Sequence, residues 1–272
     1  MIFVNYFEIM TDTKMQYESN PILIEAVKNS IKKQFMVPTE DTINLPIIKN
    51  SKTRYVCSGK RCFEAAKAYK GQKIAVLNFA NNHSIGGNPF YANAQEESLC
   101  RCSTLLPCLE AMRESFYNKH RSQIQNNEMD WKGNDDLIYT PEVVVFKTDE
   151  RLEPMYPTMM EYSEWFKVNV ITCAAPEFFR KTNYLPEDDY ELIITSRIKK
   201  ILDVAAKERN DVLILGKWGC GAFENDPKVV SKVFYTLLEN YNFNIVEFAL
   251  ATKHDVSNSE FSPINRIPKW QA

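Results

Sequence analysis

The sequence lacks both a long apolar run and an excess of charge of either sign. No run approaches the roughly 20 apolar residues of a membrane-spanning helix, so no membrane association is expected. Its 272 residues include 33 Lys and Arg against 35 Asp and Glu, for a net charge of −2. A basic surface that grips duplex nucleic acid is therefore not expected. Residues 1–13 carry Glu8 and Asp12 and lack the basic start of a signal peptide.

Histidine is scarce and cysteine is irregularly spaced. The three histidines, His83, His120 and His254, are scattered, which argues against a metal centre, and no cofactor is expected. An odd number of cysteines, seven, favours reduced thiols in a cytoplasmic protein over a disulfide scaffold. Cys220 lies in a glycine-containing loop. Because no Cys–His pair is visible, a backbone role for Cys220 is favoured over a nucleophilic one.

The apolar pattern predicts an α/β protein in one unit. From residue 73 onward, apolar strands alternate with amphipathic helices, which favours a largely parallel or mixed sheet covered on both faces. The predicted strands are 53–57, 73–79, 167–173, 211–215 and 244–250. The predicted helices are 21–34, 61–70, one from 94 or 95 toward Pro107, 188–208 and 227–240. Residues 137–139 and 143–147, separated by a turn at Pro141, are predicted as a hairpin or a pair of short strands.

Two loops follow predicted strands, where ligands bind in such sheets. The first is in VLNFANNHSIGGNPFYANAQEESLCR (76–101), in which Gly86 and Gly87 let the backbone approach a ligand closely. It leads into a helix whose first turn carries Gln95, Glu96 and Glu97, and helix N-termini suit phosphate. Acidic residues are common in first turns, so the two glutamates alone favour ordinary helix-start carboxylates.

The second loop is in LILGKWGCGAFENDP (213–227). Three of the eight glycines of the chain, Gly216, Gly219 and Gly221, fall within six residues here, after an apolar strand and before a helix. This context is typical of a loop that binds a diphosphate through backbone amides. The spacing matches neither the P-loop nor the dinucleotide fingerprint. Phe223 is either a core residue or a stacking surface for a base.

Together, in this order, the two loops resemble the bacterial-type poly(ADP-ribose) glycohydrolases, a branch of the macrodomain superfamily. The signature of that family is a triple glycine, a short spacer and Gln-Glu-Glu. Its second ligand loop closely resembles residues 218–227. The segments LIYTPEVVVFK (137–147) and VNVITCAAP (168–176) also fit its order, so the resemblance spans roughly residues 21–250. The third glycine is replaced by Asn88, a residue that tolerates left-handed φ and so keeps the shape of the loop.

The resemblance implies a fold and a domain organisation. The expected fold is a macrodomain-like three-layer α/β/α sandwich with a mixed central sheet and an N-terminal helical extension. Residues 1–272 would form a single catalytic domain, with residues 1–70 as an extension packed on it.

The resemblance also implies the site. The loop 219–222 would line the diphosphate through its amides, Phe223 would stack near the adenine and distal ribose end, and Asn81 would contact a ribose. Gln95 would position the loop or the ribose, Glu96 would bind a ribose hydroxyl, and Glu97 would be the catalytic acid. The implied substrate-binding set is Asn78, Asn81, Gly86, Gly87, Asn88, Gln95, Gly219, Cys220, Gly221, Ala222, Phe223, Glu224 and Asn225.

Helical geometry limits what the two glutamates do together. Neighbours on a helix project about 100° apart. Glu96 and Glu97 are therefore poorly placed to flank one bond as a glycosidase carboxylate pair does. One of them should act first as acid and then as base, while the other orients the sugar.

The implied function is hydrolysis of ribose–ribose O-glycosidic bonds in poly(ADP-ribose), which releases ADP-ribose and reverses the modification of proteins. The chain is expected to act as a monomer. Two alternatives stay open at this point: a mono-ADP-ribosyl hydrolase acting on protein or nucleic acid, and a non-catalytic ADP-ribose-binding module. The intact Gln95-Glu96-Glu97 favours an enzyme, because a binding module needs no acid. The choice between chain and single unit depends on the pocket beyond the distal ribose, assigned to residues 113–162.

Overall fold

The computed structural model describes residues 5–46, 52–149, 157–180, 185–252, 254 and 256–263. The helices are α1 (Tyr6–Ser19), α2 (Pro21–Lys33), α3 (Cys62–Lys67), α4 (Gln95–Cys102), α5 (Leu105–Ala111), α6 (Lys119–Gln125), α7 (Glu187–Lys207) and α8 (Pro227–Leu238). A π-helical turn, Arg113–Asn118, precedes α6, and short 3-10 turns cover Tyr162–Glu164 and Phe178–Arg180. The strands are β1 (Phe35–Val37), β2 (Arg54–Ser58), β3 (Ile74–Ala80), β4 (Leu137–Val145), β5 (Phe166–Ala174), β6 (Val212–Leu215) and β7 (Ile245–Ala249).

The described strands form one mixed sheet between two helical layers. Their order is β1-β4-β5-β3-β6-β7-β2, and the five strands from β5 to β2 run parallel, while β4 runs antiparallel to both neighbours. One apolar core packs α1 to α5 on one face of the sheet, and a second core packs α7 and α8 on the other. The α/β/α fold expected from the sequence is confirmed.

Two helices begin with a capping Asn or Asp that is followed by a proline. The Asn20 side chain accepts a hydrogen bond from the Ile22 amide at 2.9 Å, and Pro21 opens α2. Asp226 caps α8 in the same way, accepting from the Lys228 amide at 2.8 Å, and is followed by Pro227. Such a cap stabilises a helix by about 1 kcal/mol. Because α8 begins right after the second loop, its cap also fixes where that loop ends.

The predicted break at Pro141 is wrong. Residues 137–145 form a single strand that pairs with β5 along its length and with β1 at its start. The register shifts between Thr140 and Val143, and Glu142 takes a φ of +59°. Pro141 lies inside this bulge, where the ladder is interrupted, so its missing N–H leaves no pairing group unsatisfied.

The predicted helix toward Pro107 is also wrong, because it breaks at Ser103. The Ser103 hydroxyl donates to the Leu99 carbonyl at 2.7 Å and accepts from the Leu105 amide at 3.2 Å, and so links the two helices on either side of the break. At the break, the Thr104 amide donates to the Val144 carbonyl, and the Phe146 amide donates to the Cys102 carbonyl. Pairing with the end of β4 thus replaces helical hydrogen bonds and ties α4 to the sheet.

The first 70 residues do more than pack on the domain. Their described part contributes both edge strands, β1 and β2, and three helices, of which α1 has no counterpart among the predicted elements. We propose that residues 1–70 are an integral part of a single catalytic domain.

Of the segment 113–162 assigned to the outer pocket, residues 150–156 lie outside the described residues. None of the helices in the described part of the chain has the length and apolarity that crossing a membrane requires.

Candidate active site

The two loops singled out in the sequence meet over the carboxyl ends of β3 and β6. Between them lies a cleft of about 480 Å³, within the range of small-molecule sites. The first loop and the start of α4 form one wall, and residues 217–223 form the other. The described residues that line it are Phe79, Ala80, Asn81, Gly87, Ala94, Gln95, Glu96, Glu97, Ala175, Lys217, Trp218, Gly219, Cys220, Gly221, Ala222 and Phe223.

Gln95 ties the start of α4 to the backbone of β3. Its Nε2 donates to the Leu77 carbonyl at 2.8 Å, and its Oε1 accepts from the Phe79 amide at 2.9 Å. The pairing of β3 with β6 stops at Val76, where the second loop diverges from the sheet. The Gln95 side chain therefore pairs with the edge of β3 that β6 leaves open, and it fixes the position of the two glutamates that follow.

Both carboxylate oxygens of Glu96 have partners. Oε1 accepts from Asn78 Nδ2 at 3.0 Å, and Oε2 accepts from the Asn81 amide at 2.8 Å. Burial raises the pKa of the Glu96 carboxyl to about 8, although these two hydrogen bonds act in the opposite direction. Glu96 is thus held in one orientation, at the point where β3 ends and the first loop begins.

Glu97 is buried but only half satisfied. Its Oε1 accepts from the Asn88 amide at 3.1 Å, whereas Oε2 has no partner among the described residues. A Cβ on Gly87 would lie 2.3 Å from Glu97 Oε1 and 3.4 Å from Glu96 Oε2. The two carboxylates therefore share the space above Gly87, and a side chain at this position would displace the Glu97 carboxylate. Glu97 lines the cleft and holds a buried oxygen there that still needs a hydrogen-bond donor.

Asn81 shapes the first loop from within. Its Oδ1 accepts from the amides of His83 and Ser84 at 2.9 and 2.8 Å, a turn in which the side chain replaces a backbone acceptor. The carbonyl of Asn82 accepts from the ring of buried His120, whose other nitrogen lies 2.9 Å from Asp136 Oδ2. Both ring nitrogens face oxygens, so His120 anchors the turn to α6.

The glycines adopt left-handed backbone, but the third signature position does not. Gly86 and Gly87 have φ of +64° and +66°, whereas Asn88 lies outside this region. Left-handed tolerance of Asn88 is therefore not what keeps the shape of the loop, contrary to the expectation from the sequence. The role of Asn88 here is through its backbone, whose amide holds Glu97.

The second loop presents free backbone amides to the cleft. The amides of Gly219, Gly221, Ala222 and Phe223 donate to no acceptor among the described residues. Gly219 has a φ of +73°, and a Cβ there would lie 2.4 Å from the Ala175 methyl and 2.7 Å from Asn225 Nδ2. Successive unbonded amides in a turn of this kind form an anion-binding concavity.

Buried side chains brace this loop from below. Asn225 Nδ2 donates to the carbonyls of Pro176 and Gly219 at 2.8 and 3.0 Å. Trp218 is fully buried and donates to the Cys173 carbonyl at 2.9 Å. Burial raises the pKa of the Cys220 thiol to about 12, so Cys220 stays a thiol and not a thiolate nucleophile. Phe223 is partly buried at the mouth of the cleft, with its ring centroid 6.2 Å from that of Phe179.

Ten of the fifteen residues predicted for the site line the cleft. The other five do not. Asn78 is buried beneath Glu96, Gly86 packs against Cys100 and Leu106, Asn88 faces a neighbouring groove, Glu224 is exposed with a φ of +58°, and Asn225 lies beneath the loop.

Sequence reasoning missed two supports of the site, Arg101 and Tyr6. Arg101 is buried, and its Nη1 donates to the carbonyls of Pro89 and Ala92 at 2.9 and 2.7 Å. Its guanidinium lies 4.3 Å from the ring centroid of Tyr6 on α1. The only available signal was the position of Arg101 four residues after Glu97, one helical turn on.

The described residues contain no cluster of three His, Cys, Asp or Glu suited to a metal ion.

Comparison with known proteins decides the family. The family model for the catalytic domain of microbial-type poly(ADP-ribose) glycohydrolase (PARG) matches residues 7–148, just over half of the chain. The chain belongs to this family. The predicted bacterial-type PARG, its glycosidase class and its macrodomain-like fold are thereby confirmed. No curated protein matches this chain significantly.

Solved PARG structures agree over almost the whole chain. The enzyme from Thermomonospora curvata is 26% identical, covers 94% of this chain and 96% of its own, and superposes with a TM-score of 0.77. The same enzyme bound to the inhibitor ADP-HPD gives 25% identity, coverage of 96% and 99%, and a TM-score of 0.78. The Deinococcus radiodurans PARG in complex with ADP-ribose gives 27% identity, coverage of 86% and 95%, and a TM-score of 0.72.

Proposed function

We propose that this PARG hydrolyses the ribose–ribose O-glycosidic bond of poly(ADP-ribose), with Glu97 as acid and then base. The observation that carries the assignment of Glu97 is its unpartnered buried Oε2 in the cleft, beside a Glu96 whose oxygens are both occupied. A proton-transferring group needs a free oxygen aimed at the substrate, whereas an orienting group is best held by other hydrogen bonds.

The placement of the substrate follows from the two walls of the cleft. The free amides of the second loop suit a diphosphate, because they supply several donors to one anion without needing a basic side chain. Phe223 at the mouth offers a ring face to the adenine end. The distal ribose then lies toward Gly87, where only the absence of a side chain leaves room beside both carboxylates.

The reaction needs one carboxyl group used twice. Glu97 gives its proton to the bridging oxygen as the bond from that oxygen to the anomeric carbon breaks. A water then adds to the anomeric carbon and returns a proton to Glu97, which restores the carboxyl group. The products are ADP-ribose and a chain shortened by one unit. Glu96 accepts a hydrogen bond from a hydroxyl of the same ribose and so orients it.

The test is a release assay with variants that preserve shape. E97Q should bind ADP-ribose with little change in Kd by calorimetry but release it from poly(ADP-ribose) at least about 100-fold more slowly, the usual scale for a lost general acid. E96Q should retain more activity than E97Q. Unchanged release by E97Q would remove Glu97 from this role. ADP-ribose binding without release by the unaltered chain would favour a binding module, and release from mono-ADP-ribosylated protein alone would favour a mono-ADP-ribosyl hydrolase.

We also propose that the polymer is carried by modified proteins and that the chain acts as a monomer in the cytoplasm without binding duplex nucleic acid. The net charge of −2 supports the last point. The seven cysteines are all free, as is usual in a reducing compartment.

A further inference from the structure

A second groove begins where the cleft ends. It has a volume of about 310 Å³ and lies between the first loop (83–90) and the side chains of Leu106, Glu110, Arg113 and Arg121. We call it the Arg113 groove. Gly87 lines both the cleft and the groove. Asn88 lines the groove, and its amide donates to Glu97 Oε1. The groove therefore starts at the carboxylate assigned to bond cleavage and runs away from the diphosphate loop.

The groove carries an uncompensated positive charge. The Arg113 guanidinium is exposed and makes no hydrogen bond or ion pair with the described residues. Arg121 donates to the amide oxygen of Asn118, which leaves its charge unbalanced. Glu110 is the one carboxylate lining the described groove, and the imidazole of His83 already pairs with Glu177. A free guanidinium with its planar donors suits the oxygens of a phosphate.

Aromatic rings lie at the outer end of the groove. Phe90 lines the groove, and the ring of Phe7, on α1, lies 5.6 Å from it. Tyr91 is 68% exposed and lies 6.0 Å from Phe7, which is itself 49% exposed. Exposed rings beside a basic groove are the pattern by which proteins hold nucleotide units, with bases stacked on rings and phosphates on cations.

We propose that the Arg113 groove binds the ADP-ribose unit on the leaving side of the scissile bond. Arg113, assisted by Arg121, contacts the pyrophosphate of that unit, and Phe7, Phe90 and Tyr91 form the surface for its adenine. This inference rests on the proposed function, because the leaving unit exists only if the cleft holds the unit being removed. It makes the enzyme selective for polymer over a single ADP-ribose on protein, since a single unit has nothing to place in the groove.

The test compares two substrates that differ only beyond the scissile bond. One is poly(ADP-ribose), and the other is an aryl ADP-riboside, in which a fluorescent phenol replaces the rest of the chain. We expect R113A to raise KM for the polymer about tenfold and R113A/R121A to raise it further, with kcat within twofold. On the aryl substrate, kcat/KM should stay within twofold. R113K should recover part of the loss of polymer binding. Y91A should weaken binding of the polymer but not of the aryl substrate.

K207A is the matched control, because Lys207 is an exposed cation at the end of α7, next to the amino end of β6 and away from the cleft. It should leave both substrates unaffected. An unchanged polymer KM in R113A/R121A, or an equal loss on both substrates, would overturn the groove assignment while the unaltered enzyme still hydrolyses both. Failure of the unaltered enzyme on both substrates would instead overturn the proposed function, and the groove with it.

Discussion

Glu96 and Glu97 are adjacent in the chain, yet their carboxylates meet different surroundings. Glu96 accepts hydrogen bonds from Asn78 and Asn81, while Glu97 accepts one from Asn88, and its other oxygen has no partner in the described part of the chain. The difference arises because successive helical residues point in different directions, here one toward β3 and one toward the glycines. Two residues of the same type thus acquire different hydrogen-bond environments from their neighbours, as the separate roles proposed for them require.

The raised pKa of Glu96 makes folding stability depend on pH. The unfolded chain loses this proton near 4.5, whereas the folded protein keeps it to about 8. Between these values the unfolded chain binds fewer protons than the folded protein. The contribution of Glu96 to the free energy of unfolding is therefore complete below pH 4.5 and is lost as the pH rises through 8. E96Q removes this dependence. We expect the Tm of E96Q minus the Tm of the unaltered protein to be larger at pH 8 than at pH 5, by about 5 °C or more.

Thermal unfolding followed by circular dichroism at the two pH values checks this expectation. D188N is the control, because it neutralises an exposed carboxylate in the first turn of α7 and should show no such rise. A Tm difference between E96Q and the unaltered protein that is the same at both pH values would contradict a proton held by Glu96.

Substitutions at Gly87 and Gly71 separate the effect of backbone strain on stability from the effect of site geometry on activity. An added Cβ would meet Glu97 Oε1, and the φ of +66° is itself unfavourable for alanine. Gly71 has a φ of +97° with open space around it. We expect both G87A and G71A to lose about 1–2 kcal/mol of stability. G87A alone should lose about 100-fold in kcat, because it displaces Glu97. Urea unfolding and release kinetics measure the two effects, and full activity in G87A would contradict the arrangement.

For individual residues, the sequence predicted the contacts that a local motif specifies. It missed the contacts that depend on tertiary packing. Glycines next to Gln-Glu-Glu indicated the cleft wall, because neighbours in the chain had to be neighbours in space. Asn78 and Asn225 were expected at the substrate, but they lie beneath the surface that they support. Which side of a strand or loop an amide faces depends on register, and register is not visible in the motif.

Among the elements, α1 supports the catalytic wall from outside. Tyr6 stacks on Arg101, which bonds two carbonyls of the spacer 89–94. Lysine keeps the charge but not the planar fork or the stacking. We therefore expect R101K to speed amide hydrogen exchange in residues 89–94 about tenfold and to lower kcat/KM for the polymer by a similar factor.

R197K is the matched control for this prediction. Arg197 is also buried and also bonds carbonyls, those of Ala174 and Lys132, but it contacts a different part of the chain. It should destabilise the protein without faster exchange in residues 89–94. Equal exchange in that segment for R101K and the unaltered protein would show that Arg101 does not hold the spacer.

The predictable elements were those with strong periodicity or clear caps. Strands β3, β5, β6 and β7 and helices α2, α7 and α8 lie within a residue or two of the predicted bounds. Helix α1 escaped because its apolar residues do not line one face: Ile9, Met10 and Tyr17 are buried, whereas Phe7 and Met15 are exposed. The continuity of β4 through Pro141 escaped because a bulge, formed only against β5, absorbs the proline.

At the scale of the whole molecule, both edges of the sheet come from the first 70 residues. Strand β1 closes one edge beside β4, and β2 closes the other beside β7. An extension that can be removed would leave the core intact, whereas these strands cannot be removed without exposing two sheet edges. We expect one cooperative thermal transition, with equal calorimetric and van't Hoff enthalpies.

Scanning calorimetry checks this expectation, and a truncated chain beginning at residue 71 supplies the second arm. The truncated chain should fail to fold into a soluble monomer. Two separate transitions in the full chain, or a folded truncated chain with the same cleft activity, would contradict the single domain.

The hydrogen bonds of Gln95 to Leu77 and Phe79 have a consequence for how this site can diversify. They tie the start of α4, which carries Glu96 and Glu97, to the backbone of β3. If Glu97 is the proton donor, side-chain changes in the first loop that keep the Asn88 amide in place can therefore remodel which leaving group is accommodated without moving the donor. On this proposal the position of the acid depends on backbone contacts, whereas selectivity depends on side chains that can vary separately.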